Sequence, residues 1–176
     1  MGREGIRAVA VGTVALAASL CACDTGPRAF AHADGWMRAT VTVADASGTR
    51  TSQLDEGAGV AAPGNGGKMW EVAAVEAGVV AVHVLFDPVY VAGPGDYAVD
   101  TDPGEGRLQV WIGFPSATSD GGETLSAASL DRVTFSRVGY ASGATLAGAF
   151  DAASVSRGNP ALTVTVSLAS FEVSVP

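Results

Sequence analysis

Apolar and polar positions alternate along much of this chain, and no stretch sustains the 3.6-residue apolar period of an amphipathic helix. Met37 to Ala44 reads MRATVTVA, with Met37, Ala39, Val41 and Val43 on one face. Trp70 to Val75 and Val79 to Phe86 flank Ala77-Gly78, and in the second of these Val80, Val82, Val84 and Phe86 share a face. A short strand at Tyr97 to Val99 follows Pro94-Gly95. Arg107 to Phe114 alternates most cleanly. Leu108, Val110, Ile112 and Phe114 point one way, and Arg107, Gln109 and Trp111 the other. Leu130 to Val138 and Thr145 to Ala152 come next, separated by Gly139 to Gly143.

In the last strand Leu162, Val164, Val166 and Leu168 share one parity, whereas Phe171, Val173 and Val175 have the other. One regular strand cannot move its apolar set from face to face, so a β-bulge or break is predicted near Ala169-Ser170. Residues 46–68 are rich in glycine and polar side chains and read as a long loop. Only 52–62 within that loop, and Ala127 to Leu130, offer room for a short helix. Seven or eight short strands joined by Gly/Pro turns predict an all-β domain over residues 35–176, an antiparallel β-sandwich or a partly closed barrel.

A length of 176 residues suits one such domain with short extras. Hydrophobic residues at 48% supply a core, while 7% aromatics and 23 glycines imply small side chains and many turns. The net charge is −8, from 18 acidic against 10 basic residues. A chain so acidic lacks the basic footprint that binds phosphate backbones, which argues against a nucleic-acid partner.

The N-terminus has its own pattern. Arg3 and Arg7 precede Ala8 to Leu20, an uncharged apolar run shorter than the roughly 20 residues that a spanning helix needs. Leu20-Cys21-Ala22-Cys23 then resembles the bacterial lipobox: an aliphatic residue three places before a cysteine, with small residues between. The resemblance implies that residues 1–22 are a lipoprotein signal peptide, that Cys23 carries the lipid, and that 23–34 tether the domain to a bilayer in the cell envelope. Lipidation at Cys21 would instead put Ala18 at the −3 position and bulky Leu20 at −1. Ordinary cleavage after Ala29-Phe30-Ala31 or Ala31-His32-Ala33 is the alternative, far past the apolar run. A Cys-x-Cys metal or redox pair lacks further ligands, since no cysteine follows Cys23. An acylated Cys23 leaves no disulfide, so the core alone must hold the fold. Asp24 resembles an inner-membrane retention signal of some enteric bacteria, and which membrane is meant stays open.

Three segments, AGPGDYAVD, LDRVTFSRVGYASGATLAGAFDA and LTVTVSLASFEVSVP, resemble a domain found in small bacterial lipoproteins. The matching positions are Pro94, Gly95, Tyr97, Val133, Phe135, Gly148, Phe150 and Phe171. Val166, Leu168 and Ala169 stand where such families carry glycines. The resemblance implies a β-sandwich on a lipid anchor and brings no catalytic residues with it.

Chemistry is sparse. Gly57-Ala58-Gly59-Val60-Ala61-Ala62 fits G-x-G-x-x-[GA], but polar TRTSQLDE precedes it where a dinucleotide site needs a buried strand. Gly67-Lys68 lacks both the first glycine and the Ser/Thr of a P-loop. Asp96, Asp100, Asp102 and Glu105 form an acidic segment in which Asp100, Asp102 and Glu105 are candidate Ca2+ ligands, weighed against an ordinary Asp-Pro-Gly turn; the segment is no EF-hand, because Glu105 and Trp111 stand at its sixth and twelfth positions. Trp111, with Arg107 and Gln109 beside it, is a candidate stacking platform for a sugar ring or a second packing layer. Trp36 and Trp70 read as packing residues. His32 falls in the tether and His83 stands alone on a strand, as structural histidines do. Gly139-Tyr140-Ala141-Ser142-Gly143 places its serine one position too late for a nucleophile elbow. These features suit a non-catalytic envelope module that binds a protein, with a glycan-binding module at Trp111 as the alternative and an envelope hydrolase as a remoter one.

Replacing Cys23 by alanine is expected to abolish incorporation of labelled palmitate into the protein, whereas Cys21→Ala leaves it intact. The opposite pattern would place the lipid on Cys21.

Overall fold

A computed structural model describes residues 35–63, 68–76, 80–100, 106–115, 123–158 and 161–176. Every regular element among them is a strand: β1 Gly35–Asp45, β2 Gly48–Ala61, β3 Trp70–Glu76, β4 Val80–Phe86, β5 Gly95–Ala98, β6 Leu108–Pro115, β7 Glu123–Ala127, β8 Arg132–Arg137, β9 Thr145–Gly158 and β10 Ala161–Ser174. All neighbours run antiparallel in one sheet of order β5-β8-β9-β10-β1-β2-β3-β4-β6-β7. The last strand thus lies beside the first, in the middle of the sheet. No helix among the described residues is long and apolar enough to cross a membrane.

The sheet curls into a half-barrel, and its two flanks face each other across one core as the layers of a sandwich do. Ring contacts cross the interior. Phe86 of β4 meets Phe135 of β8 at 5.2 Å between centroids, and Phe135 also meets Tyr97 of β5 at 5.8 Å and Phe171 of β10 at 5.9 Å. Backbone bonds stitch the flanks where the strands stop: Asp100 N–H donates to Leu108 C=O at 2.8 Å, and Ser129 bridges to Ser154 of β9. Tyr140 lies against Trp70 at 5.2 Å and donates its hydroxyl to the carbonyl of Val91. Burial pushes the pKa of that hydroxyl up to about 12, with nearby Tyr97 and Asp87 adding to the effect.

The alternation read in the sequence lands on this core. Met37, Ala39 and Val41, then Val80, Val82, Val84 and Phe86, then Leu108, Val110 and Ile112 are all buried. Opposite Phe171 stands Gly148, where an added Cβ would lie 2.7 Å from the ring, so this strand position must be bare. The expected irregularity in β10 is present. Two steps along β1, Arg38 to Thr40, face three along β10, Ser170 to Ser167. Inward residues run Val164, Val166, then Ala169, Phe171, Val173. Leu168, expected on the inner face, is the extra residue: it has a φ of 52° and is 75% exposed.

Two strands were not visible in the alternation, which makes ten rather than seven or eight. Residues 48–61, read as loop, are strand β2, which pairs with β1 from Gly35↔Ala58 to Asp45↔Gly48. Its pattern is masked because polar residues occupy both faces: Thr51, Gln53 and Asp55 on one, Arg50, Ser52 and Glu56 on the other. β7 ends at Ala127, and the expected helix at 127–130 is absent because Ala128 and Ser129 hydrogen-bond to Val110 and Ser154. The short strand near Tyr97 starts at Gly95 and ends before Val99.

Left-handed backbone costs a leucine about 1–2 kcal/mol, and glycine loses about 0.5–1 kcal/mol in chain entropy, so Leu168→Gly is expected to be neutral or stabilising by up to about 1 kcal/mol. Phe135→Ala removes the ring shared by four strands and is expected to cost about 3–5 kcal/mol. Urea unfolding measures both, and a Leu168→Gly variant destabilised like a core truncation would contradict the bulge.

Candidate functional site

A curled sheet turns one face inward and presents the other outward. That face has two regions of different chemistry. The first lies on β3, β4 and β6, where strand parity sets Glu71, His83, Gln109 and Trp111 outward of the core. Ala73, His83 and Trp111 are directly cross-strand, and Glu71 is diagonal to His83. His83 and Glu71 are only 3% and 6% exposed, and Nδ1 lies 2.7 Å from Glu71 Oε1. The other ring nitrogen, Nε2, has no hydrogen-bond partner among the described residues. Half-buried Trp111 donates its indole N–H to Gln109 Oε1 at 3.1 Å.

The structure therefore brings together Trp111 and Gln109 of the expected set, and adds a Glu71–His83 pair that the sequence reading missed. The clue was present in the register. A hairpin turning about residue 78 sets 73 opposite 83, and this makes 71 and 83 diagonal neighbours on one face. Arg107 is placed elsewhere: its guanidinium stacks over Tyr90 at 4.4 Å and lies 3.7 Å from the Asp100 carboxylate. Asp100 also accepts the backbone N–H of Arg107 at 2.6 Å. Asp102 and Glu105 of the calcium reading, and Cys23 of the anchor, lie outside the described residues. Among the described residues no group of three His, Cys, Asp or Glu side chains could hold a metal ion.

The second region is the outer face of β2, β1, β10 and β9, the four middle strands. Register places Thr51, Thr42, Thr165 and Ser154 in one row across them. The row on one side holds Gln53, Thr40, Ser167 and Ala152, and that on the other Thr49, Ala44, Thr163 and Ser156. No charged side chain stands in these three rows. Neighbouring groups hold one another: Thr42 and Thr51 hydroxyls lie 3.3 Å apart, Ser156 and Thr163 3.0 Å, and Thr40 bonds Gln53 at 3.3 Å.

Further along β1 on the same face come Arg38 and Trp36. Arg38 pairs with Asp55 at 2.9 Å and lies 5.1 Å from the Trp36 ring centroid. Trp36, expected to pack, is 36% exposed, because its parity is opposite to that of Met37. Across the strands its neighbours are Gly57, which has no side chain, and Glu172, which pairs with Arg137 at 3.3 Å. Trp70, by contrast, packs on Tyr140 as expected.

Glu71→Leu strips the hydrogen-bond partner from the buried imidazole Nδ1 and is expected to cost about 1–3 kcal/mol. Adding His83→Leu should regain part of that loss, since the imidazole is then no longer left without that partner. Losses that simply add in urea unfolding would show that the two side chains act independently. Neither a protein-family model nor a curated protein nor a solved structure matches the chain.

Proposed function

We propose that this chain is a lipoprotein of the bacterial cell envelope, a binding module held to a bilayer by acylated Cys23. Its half-barrel meets the partner through the outer face of β2, β1, β10 and β9. The observation that carries the reading is that face itself: four long strands, paired over their whole length, whose outward side chains no other described strand overlies. The lipobox supports the anchor. Eleven residues lie between Cys23 and Gly35, so the start of β1 stays within about 40 Å of the lipid. The partner is therefore another component of the envelope or a molecule reaching its surface.

The notable chemistry of the other outer region, Glu71–His83 and the Trp111 indole, is buried or half-buried and occupied within the chain. A glycan platform at Trp111 is the competing reading, favoured by the indole lying beside polar Gln109 on an outer sheet face.

A photo-crosslinking residue at Thr42 in living cells tests the proposal. Crosslinks are expected from position 42 and not from position 89, where Val89 is also exposed but lies off the sheet. Equal crosslinking at both positions, or crosslinks only from position 111, would contradict the choice of face.

A further inference from the structure

The partner's chemistry can be read from the same face, and this step rests on the reading just given. We propose that the outer face of β2, β1, β10 and β9 binds a single strand of uncharged polysaccharide, with Trp36 stacking one sugar ring and the threonine rows hydrogen-bonding those beyond it.

Charge is the first argument. The chain carries −8 overall, yet the three hydroxyl rows hold no charge. The charges near Trp36 cancel in two exposed pairs, Arg38 with Asp55 and Arg137 with Glu172. An electrically silent surface on an acidic protein matches a neutral ligand, whereas an anionic polymer gains no counterion release from it and a cationic one no net attraction. Donor and acceptor chemistry is the second. Each Ser or Thr hydroxyl gives one donor and two acceptor positions, the same inventory as a sugar hydroxyl. Here they repeat at about 4.8 Å across strands and about 6.7 Å along them. Mutual hydrogen bonds already hold several in place, so little rotamer freedom is lost on binding.

Trp36 supplies the apolar element such a surface otherwise lacks. Its indole is exposed at one end of the β1 row, Arg38 covers it from one side, and Gly57 leaves the flank toward β2 bare. An indole left open on that flank, one charged pair away from the first hydroxyl row, suits a pyranose, which has apolar C–H faces and a polar rim. A protein partner suits the face less well, because Ser and Thr contribute few of the hot spots at protein interfaces. A crystalline surface suits it less than one flexible chain, because antiparallel strands twist by about 20–25° from one to the next.

The test is affinity electrophoresis of the lipoprotein extracted from membranes in nonionic detergent, run through native gels containing hydroxyethylcellulose, dextran or anionic alginate. Retardation is expected with at least one neutral polymer and not with alginate. Trp36→Ala should weaken it about tenfold, and Thr42→Glu, which puts a charge in the centre of the rows, should weaken it at least as much. Circular dichroism confirms that both exposed-site variants stay folded. Trp111→Ala should leave the retardation unchanged. No retardation by a neutral polymer, retardation that survives Trp36→Ala and Thr42→Glu, or loss on Trp111→Ala would each overturn the proposal. If retardation is absent while Thr42 crosslinks to an envelope protein, the polysaccharide is wrong and the binding face stands. If both are absent, the face itself is wrong.

Discussion

Phe86 and Phe135 sit on strands that are six places apart in the sheet order, β8 and β4, yet their rings meet edge to face at 5.2 Å. That contact depends on the sheet bending back on itself, and a bent sheet is what gives this chain a core. With no helix and no second sheet among the described residues to pack against, this antiparallel sheet buries its apolar face on its own opposite flank. Phe171, Tyr97 and Tyr140 extend the contact to three further parts of the chain. Small residues allow the bend. Gly148 admits the Phe171 ring, and the extra residue at Leu168, a bulge against β1, adds to the local twist.

Curvature also sorts the chemistry. Most large apolar side chains go inside, with Trp36, Val75, Val89 and Leu168 left exposed, and the outer face divides between a buried hydrogen-bonded patch on β3, β4 and β6 and an open hydroxyl-bearing one on the four middle strands. The first and last described strands meet in the middle of the sheet, since β10 pairs with β1. Gly35 therefore opens β1 one residue before Trp36, on the strand that carries Thr40 and Thr42.

Much of the fold was legible because half-buried strands announce themselves by parity. Val80 to Phe86 and Leu108 to Ile112 show this, and the parity switch before Phe171 marked the bulge within two residues. The same logic failed where its premise fails. β2 reaches the core with Leu54, Ala58 and Val60, but Arg50, Ser52 and Glu56 interrupt that parity while Thr51, Gln53 and Asp55 hold the other, so no apolar alternation stands out. Trp36 reads as a packing residue from its place near a strand start, although its parity against Met37 and Val41 already sets it outward. The Glu71–His83 pair needed hairpin register, which Ala77-Gly78 supplied locally. The hydroxyl rows needed more. Thr-x-Thr is visible at Thr40 and Thr42, Thr49 and Thr51, and Thr163 and Thr165, but only the pairing of the last strand with the first brings the three together.

The central claim is that recognition happens on the four middle strands and not on the flank that carries Trp111. Its most direct test is nuclear magnetic resonance of the detergent-solubilised protein, following amide and indole signals during titrations with cellohexaose and isomaltohexaose, short oligomers of the two kinds of neutral polymer. The account predicts shifts at the Trp36 indole and at amides around Thr42, Thr51 and Thr165, with Trp111 and His83 unmoved. Shifts centred on Trp111, or none anywhere, would contradict it.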